Sequence, residues 1–510
     1  MQQRAEQPRP LGSDGDERPV RLSRCGRLVT AARRVDPALL PDDPGRILSA
    51  LDVPRGAWKR GGEWAAYGGS AATVEPAAED GGRFRAVREQ GASLAGRAAR
   101  PGSGPDGGAA GNGADASPLP RLYGGFSFHD VPDVSGSWSG FPTACFRVPR
   151  REVRVEGDAG WLLATRAAGD GSGAEDAAKE ARLELRRLED RLRGSNREVD
   201  GTGDAAAPPP GIESVTPPDA DAATDPGGER ERWRRGVEKA LDDVRSGRLE
   251  KVVLARTLDV PDGVAVAPIR AFRRLRFDNP RSALFFLQPG PDTAFLGASP
   301  ELLGSARGSV FRATAVAGSV PRGGSREEDA ALGRRLLESE KDRREQAIVA
   351  EEIRRCLDSR LGAVSVGSAR LLKLARIQHL QSSVEGRLPQ SGAPGNGNGN
   401  GDGGPHLLDL IADLHPTPAV CGRPRDRALA TLRESEPFER GWYAAPVGWF
   451  DPAGRGEFVP GLRSGVLHGG RWRLFAGAGI VEGSDPDREW EETGVKFVPM
   501  LRALGAGSGS

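Results

Sequence analysis

The chain has 510 residues and a formal net charge of +1, with 72 lysine and arginine residues against 71 aspartate and glutamate residues. This balance argues against nucleic acid or an anionic membrane as the main partner. The charged first twenty residues predict no secretory signal, and no apolar run approaches the ~18 residues of a membrane span. The four cysteines have neither metal-ligand nor disulfide spacing, which favours a reducing, cytoplasmic setting.

Three segments have compositions typical of inserts, because their Gly, Ala, Pro, Asp or Asn residues bury too little apolar surface to offset chain entropy. They are residues 99–120, 198–229 and 390–405. We expect these segments to be disordered surface loops. The expected organisation is then a disordered N-terminus, an N-terminal part of the fold and a C-terminal region that carries the chemistry, over residues 1–20, 21–229 and 230–505.

In the N-terminal part, alternating apolar patterns predict strands at 122–128 and 144–149, and the spacing of Ala and Leu predicts an exposed helix over 174–193. The C-terminal region is denser in structure. Its patterns predict a helix at 233–244, strands at 251–256, 283–287, 293–298 and 311–317, a long helix over 327–357 that breaks near Ser339, and further strands from 443 to 475. Strands separated by turns, with helices in blocks, favour an α+β fold with largely antiparallel sheets.

An acidic segment near the C-terminus, residues 488–496, follows a glycine-rich strand end and a Ser-Asp-Pro helix start. On a helix, Glu489 and Glu492 stand three positions apart and Lys496 four positions further, so all three share a face. Carboxylates beside a cation suit a hard metal ion and an anionic substrate. The alternative interpretation is a solvated face with an ordinary Glu–Lys pair.

A second helix repeats this arrangement, since Asp342 and Glu345 share a face of the 327–357 pattern. Two helices that present carboxylates towards each other would form an oxygen-rich cage for Mg²⁺, although a surface helix with salt bridges explains the pattern equally well.

Two single residues are candidates for acid–base chemistry. Glu301 follows a strand and is flanked by apolar residues, so burial would raise its pKa and suit a general acid; the alternative is an exposed turn glutamate. Lys251 opens an apolar strand, where it is either a desolvated base or an edge residue that prevents aggregation, and periodicity alone favours the edge residue.

A glycine turn at 317–323 has backbone N–H groups that could hold a carboxylate, but it lacks the lysine of a phosphate-binding loop. His379 and His415 are not spaced as metal ligands, and either fits a hydrogen-bonded core histidine.

Taken in order, these segments resemble the chorismate-utilising enzymes, and among them the isochorismate synthases. The N-terminal match is thinner and depends mainly on YGGFSF (123–128), whereas the motifs over roughly half of the chain follow the family's order. These motifs are KVVLAR (251–256), GASPELL (297–303), TAVAGSVPRG (314–323), SEKDRREQ (339–346), IQHLQSSVEGRL (377–388), LHPTPAVCG (414–422) and GAGIVEGSDPDREWEETGVK (477–496).

The resemblance implies a monomer with a single large α/β/β/α fold, like that of anthranilate synthase component I, with two stacked, mostly antiparallel sheets. It implies that Lys251 activates water for attack on C2 of chorismate and that Glu301 protonates the departing C4 hydroxyl. It further implies that Mg²⁺ is bound by Glu345 and Glu492, with Glu489 acting through water. The implied substrate-binding residues are Gly318, Ser319, His379, Thr417, Tyr443, Arg463, Gly477 and Lys496.

Relatives that use ammonia usually lack a lysine at the position of Lys251, and some of them carry a nucleophilic lysine where this chain has Ala317. Both differences favour water as the nucleophile in this protein. Salicylate synthase, which shares the base and the acid and then eliminates pyruvate, remains an alternative. So does a catalytically silent chorismate-binding subunit, although the intact candidate residues argue against it. Gln346 departs from the histidine usual after the metal-binding glutamate. A role in menaquinone biosynthesis is favoured over one in siderophore biosynthesis.

Overall fold

The computed structural model describes residues 20–76, 82–95, 118–168, 173–198, 228–260, 266–389 and 404–505. The segments predicted to be disordered, at 1–20, 99–120, 198–229 and 390–405, lie outside these ranges apart from a few flanking residues.

Within the described ranges the helices are α1 (Pro44–Leu48), α2 (Arg83–Ala95), α3 (Ala174–Glu198), α4 (Glu229–Arg245), α5 (Pro268–Asp278), α6 (Arg326–Glu338), α7 (Glu340–Asp358), α8 (Leu407–Leu414), α9 (Arg425–Ser435) and α10 (Pro486–Leu504). The strands are β1 (Arg21–Cys25), β2 (Leu28–Val35), β3 (Arg55–Arg60), β4 (Glu63–Val74), β5 (Leu122–Phe126), β6 (Ala144–Glu156), β7 (Ala159–Ala167), β8 (Lys251–Asp259), β9 (Ala283–Gly290), β10 (Thr293–Ser299), β11 (Gly304–Arg307), β12 (Val310–Pro321), β13 (Gly362–Val366), β14 (Arg370–Lys373), β15 (Ile377–Arg387), β16 (Gly422–Arg423), β17 (Pro446–Phe450), β18 (Gly456–Pro460), β19 (Ser464–His468) and β20 (Arg471–Ile480). None of the described helices is long and apolar enough to cross a membrane.

These elements confirm the types predicted from the sequence, and they extend several of them by a few residues. The predicted break at Ser339 is real, because this residue ends α6 and also caps α7, its hydroxyl accepting a hydrogen bond from the Asp342 N–H at 3.3 Å. A serine hydroxyl at this position satisfies one of the unpaired N–H groups that begin every helix.

The strands form one continuous ladder, and each pairing among the described residues is antiparallel. One arm runs through β8, β20, β19, β10 and β9, and the other through β5, β17, β18, β11, β12 and β15. The strands β3, β4 and β6 join the two arms. The arms face each other across a shared apolar core, with Phe285, Phe295 and Phe475 of the first in one cluster with Trp449 and Val459 of the second. The two stacked antiparallel layers expected from the sequence are thus present, linked as a single ladder.

The chain crosses between the two arms at two neighbouring connections, one from β10 to β11 and one from β18 to β19. The Ala298 N–H donates to the Arg463 carbonyl at 3.3 Å, and the Leu303 N–H donates to the Phe458 carbonyl at 3.0 Å. These bonds hold the two crossings side by side. The first carries Glu301 and the second carries Arg463, so the fold brings both candidate residues to one end of the layers.

Candidate active site

A cleft of about 700 Å³ opens between the two arms, bordered by the crossings and by α7 and α10. Many of the residues that the sequence singles out line it, although they come from distant parts of the chain. Those residues are Glu301, Gly318, Ser319, Glu345, His379, Tyr443, Arg463, Gly477, Glu492 and Lys496. Lys251, Glu489 and Thr417 are not part of this lining, and all three are buried.

Lys251 is buried, with a relative exposure of 1%, and its Nζ lies 3.0 Å from Oε1 of Glu345. The interpretation as an edge residue is therefore wrong. The reason is that β8 has neighbours on both sides, β20 along one edge and β16 beside its first residues. A buried ammonium needs a partner, and the Glu345 carboxylate on α7 supplies it.

Gly479 on β20 makes this ion pair possible, and sequence reasoning did not single it out. A Cβ atom at this position would lie 2.2 Å from Oε1 of Glu345 and 3.1 Å from Cε of Lys251. Because side chains alternate along a strand, Gly477 and Gly479 share one face of β20. Two glycines on one strand face are a sequence signal for close approach by other groups, and this signal could have identified the residue.

Glu301 is also buried, which rules out the exposed turn glutamate. Its Oε1 atom has no hydrogen-bond partner among the described residues. Burial raises the pKa of Glu301 to about 8, against an opposing effect of the Lys251 charge. A carboxyl group in this environment is protonated at neutral pH, as a general acid must be.

The acidic helix α10 begins at Asp485, whose carboxylate accepts hydrogen bonds from the N–H groups of Asp487 and Arg488 at 3.2 and 3.0 Å. Its inner face is not solvated: Glu489 is buried and Glu492 lines the cleft, whereas Glu491 is exposed.

Each inward carboxylate has a lysine partner. Nζ of Lys496 lies 2.5 Å from Oε1 of Glu492 and donates to the Gly477 carbonyl at 2.8 Å. Nζ of Lys341, on α7, lies 2.9 Å from Oε1 of Glu489. With the Lys251–Glu345 pair, three glutamates of the two helices are thus balanced by three ammonium groups.

The acids of α10 act on one another. Burial and the charge of Glu492 raise the pKa of Glu489 to about 7. Burial would also raise the pKa of Glu492, but the Lys496 ammonium holds it below its usual value.

These carboxylates are suitable ligands for a hard divalent cation, because their donor atoms are oxygens. A bound cation would also offset the repulsion from Glu492 that, together with burial, raises the pKa of Glu489. No group of three or more His, Cys, Asp or Glu side chains in the described ranges is arranged closely enough to hold a metal ion. The predicted cage is therefore not preassembled.

Close to Glu492 and Lys496, His379 links β15 to the second crossing. Its Nε2 lies 3.0 Å from Nη2 of Arg463, and its Nδ1 lies 3.2 Å from the Gly318 carbonyl and 3.1 Å from Oγ of Ser319. Because a guanidinium can only donate, Nε2 accepts and the ring proton resides on Nδ1. Burial and the charges of Arg463 and Lys496 place the pKa of His379 well below its usual value, which keeps the imidazole neutral.

Arg463 is the cationic residue that contacts His379. It is buried, forms no ion pair with an acidic side chain of the described residues, and adopts the left-handed backbone conformation with φ of 49°. Burial lowers the pKa of Arg463 to about 10, although the charge of Glu492 opposes this effect. A buried guanidinium without a carboxylate suits an anionic ligand.

Gly318 marks a register shift in the β12–β15 pairing, with φ of 69°, and a Cβ there would lie 2.9 Å from Cβ of Asp342. This glycine bulge lets α7 approach β12 closely.

Tyr443 stacks on Phe475 and borders the cleft near Gly477. Thr417 is buried, its carbonyl accepting from the N–H groups of Val420 and Cys421, and its contact with substrate stays a prediction.

Gln346, which replaces the usual histidine, is buried and donates to Oγ of Ser382 at 2.8 Å. The glutamine amide therefore has a hydrogen-bond partner within the fold, although it replaces a histidine. His415, the other histidine considered, lies with Nε2 3.2 Å from the Phe128 carbonyl and is a core residue.

The sequence matches a protein family and several enzymes. The family described as chorismate binding enzyme matches residues 58–505. The salicylate biosynthesis isochorismate synthase of Pseudomonas aeruginosa is 38% identical over 76% of this chain and 75% of its own length. The isochorismate synthase MenF of Bacillus subtilis is 34% identical over 76% and 75%.

Two solved structures confirm the expected fold class. The menaquinone-specific isochorismate synthase MenF of Escherichia coli matches with a TM-score of 0.67 and 25% identity over 96% of both chains. Anthranilate synthase component I of Streptococcus pneumoniae matches in fold with a TM-score of 0.56 and 20% identity, over 96% of this chain and 95% of that one. On the family match and these relatives, the chain belongs to the chorismate-binding enzymes.

Proposed function

We propose that this enzyme is an isochorismate synthase, which interconverts chorismate and isochorismate by attack of water at C2 and loss of the C4 hydroxyl. The observation that carries the proposal is a buried, protonated Glu301 in the cleft lining together with a buried Lys251 whose partner, Glu345, lines the same cleft. The names of the most similar relatives support the same reaction.

The two steps need opposite protonation states. Hydroxide is a poor leaving group, so the acid must carry a proton when the C4–O bond breaks, and the desolvated Glu301 does so at neutral pH. Water is a poor nucleophile, so Lys251 must be neutral when it accepts the proton of the attacking water. Its amine therefore has to pass the proton that it holds in the ion pair to the Glu345 carboxylate, 3.0 Å away. In the reverse reaction the two groups exchange roles.

Chorismate is a dianion, and Arg463 and Lys496 supply cations for its two carboxylates. Arg463, oriented by neutral His379, would bind one of them, with the Gly318 turn and Tyr443 beside it. Lys496 would bind the other near Gly477. This arrangement would fix the ring with C2 and C4 between the base and the acid.

We further propose Mg²⁺ as the cofactor, held by Glu345 and Glu492 with Glu489 close by. When bound, the ion would supply positive charge for a substrate carboxylate. The support is the oxygen-only donor set on two facing helices and the repulsion between the acids of α10.

We also propose that the product serves menaquinone biosynthesis. The support is the structural match to a menaquinone-specific enzyme over 96% of both chains. The relative from salicylate biosynthesis is similar in sequence, at 38% identity, and makes salicylate the alternative. Deletion of the gene in its own organism should deplete menaquinone; loss of a siderophore or of salicylate, with menaquinone unchanged, would contradict this role.

The reaction is tested by incubating the purified protein with chorismate and Mg²⁺ and resolving the products by chromatography. Isochorismate without pyruvate is the expected result. Salicylate together with pyruvate would identify a salicylate synthase instead. Binding of chorismate without turnover would identify a catalytically silent subunit.

A further inference from the structure

A second cleft adjoins the active site and has no role in the proposed reaction. Its volume is about 900 Å³, larger than the active-site cleft, and Arg463 lines both of them. The remaining lining consists of apolar side chains and a few polar ones from α10, from the β14–β15 turn and from the end of α5. Those that matter here are Asp278, Ser282, Arg376, Ile377, Pro499 and Arg502.

The two clefts lie on neighbouring faces of the same elements. On α10, Val495, Pro499 and Arg502 follow the i, i+4, i+7 spacing of one helix face and line the second cleft, whereas Glu492 and Lys496 line the active site. Arg463 is the described residue that the two linings share.

The charge of the second cleft is positive. Among the described lining residues, Arg376, Arg463 and Arg502 contribute three guanidinium groups against one carboxylate, that of Asp278, which lies 2.9 Å from Nε of Arg502. Arg376 is exposed and forms no ion pair with an acidic side chain in the described ranges. Burial of part of its side chain and the nearby charge of Arg502 lower the pKa of Arg376, which indicates that the two guanidinium groups repel each other.

Besides these cationic groups, which suit an anion, the lining offers contacts for the uncharged part of a ligand. Ala298, Leu374 and Ile377 offer apolar contacts, and Asn279 and Ser282 offer polar ones. A small ring that carries two carboxylates matches this combination of apolar floor and cationic rim.

We propose that the second cleft is a capture site for the incoming dicarboxylate substrate, from which a carboxylate passes to Arg463 and then into the active site. The inference rests on the proposed function for the identity of the substrate, chorismate. Arg376 and Arg502 raise the local concentration of the dianion beside Arg463, as cationic clefts do for anionic substrates. Because Arg463 lines both clefts, it can bind the carboxylate in the second cleft and in the active site.

The test is the association rate constant of chorismate, measured by stopped-flow mixing in a Glu301→Gln background where no turnover interferes. Reversal of one charge, Arg376→Glu, should lower this rate constant roughly three- to tenfold at low ionic strength. The difference should shrink in high salt, which screens exposed charges. Arg376→Gln should give a smaller change in the same direction. With Glu301 intact, Arg376→Glu should leave kcat at saturating chorismate within about twofold.

Arg370→Glu is the matched control. Arg370 is exposed on β14 of the same hairpin, lies outside the cleft and undergoes the same change of net charge. Equal slowing by both reversals, or no slowing by Arg376→Glu, would overturn the capture site. A fall in kcat with unchanged association would also overturn it, because the cleft would then act on Arg463 alone. Association is measured without turnover, so failure to form isochorismate would refute the proposed function separately.

Discussion

Nζ of Lys251 and Oε1 of Glu345 lie 3.0 Å apart in a site where the lysine is almost wholly removed from solvent. An exposed pair in the same protein has the same separation: Nη1 of Arg344 lies 3.0 Å from Oε2 of Glu482, with both side chains about 70% exposed. The two pairs differ in burial and also in the cation, which is a lysine in one and an arginine in the other. They give a buried and an exposed case within one chain.

Lys251→Met should abolish turnover and lower the free energy of unfolding by about 3–5 kcal/mol, because it leaves the Glu345 carboxylate buried without its partner. Arg344→Met should cost at most about 1 kcal/mol. Denaturant titration in EDTA measures both. The double variant Lys251→Met, Glu345→Gln should recover part of the loss; an equal or greater loss in the double variant would contradict the coupling.

Gly479→Ala should reduce kcat at least about tenfold, because the new Cβ would lie 2.2 Å from Oε1 of Glu345 and force the carboxylate or β20 to move. Gly290→Ala is the control, since that glycine is also in a strand and a Cβ there meets no atom within 4 Å. Steady-state kinetics and thermal unfolding of both variants would distinguish a local from a global effect. Normal kcat in Gly479→Ala would show that the close approach is not required.

Glu301→Gln should nearly abolish turnover with the fold retained, and wild-type activity should fall as pH rises past about 8, where the acid loses its proton.

The free energy of unfolding should also depend on the protonation of Glu301. Its folded pKa is raised from 4.5 to about 8, so the folded state prefers the protonated form, and this stabilisation is complete below the unfolded pKa. It is lost as pH rises through the window between these values, by up to about 1.4 kcal/mol per pH unit. Glu301→Gln should remove that slope from denaturant titrations; an unchanged slope would contradict the raised pKa.

Removal of divalent cations by EDTA should abolish turnover, and added Mg²⁺ should restore it. Calorimetric titration should detect Mg²⁺ binding by the wild type and at least about tenfold weaker binding by Glu492→Gln, which removes a carboxylate that lines the cleft. Glu491→Gln is the control, because that side chain is exposed one position away. Full activity in EDTA, or equal binding by the two variants, would refute the proposed cofactor.

Local patterns were sufficient to predict the elements, because apolar periodicity and turn residues act over a few positions. The break at Ser339 and the strands predicted at 283–287 and 293–298 are examples. The grouping of Glu345, Glu492 and Lys496 around one cleft depended on the family resemblance, since these residues are distant in sequence.

Burial was the property that the sequence predicted least well. Lys251 resembles an edge residue because periodicity does not show that a strand has neighbours on both sides. The lysine partner of Glu489 was missed for a similar reason, as Lys341 stands in a charged segment typical of a surface helix. The resemblance was also silent on the second cleft, which is formed where three separate elements meet.

The two crossings between the sheet layers have a mechanical consequence for the reaction. Lys251 belongs to one layer and His379 to the other, so a small sliding of one layer over the other would change their separation. Glu301 and Arg463 sit on the crossings themselves, where each is tied covalently to both layers. The two crossings are hydrogen-bonded to each other, so such a movement would shift the base relative to the histidine while the acid and the arginine stayed side by side.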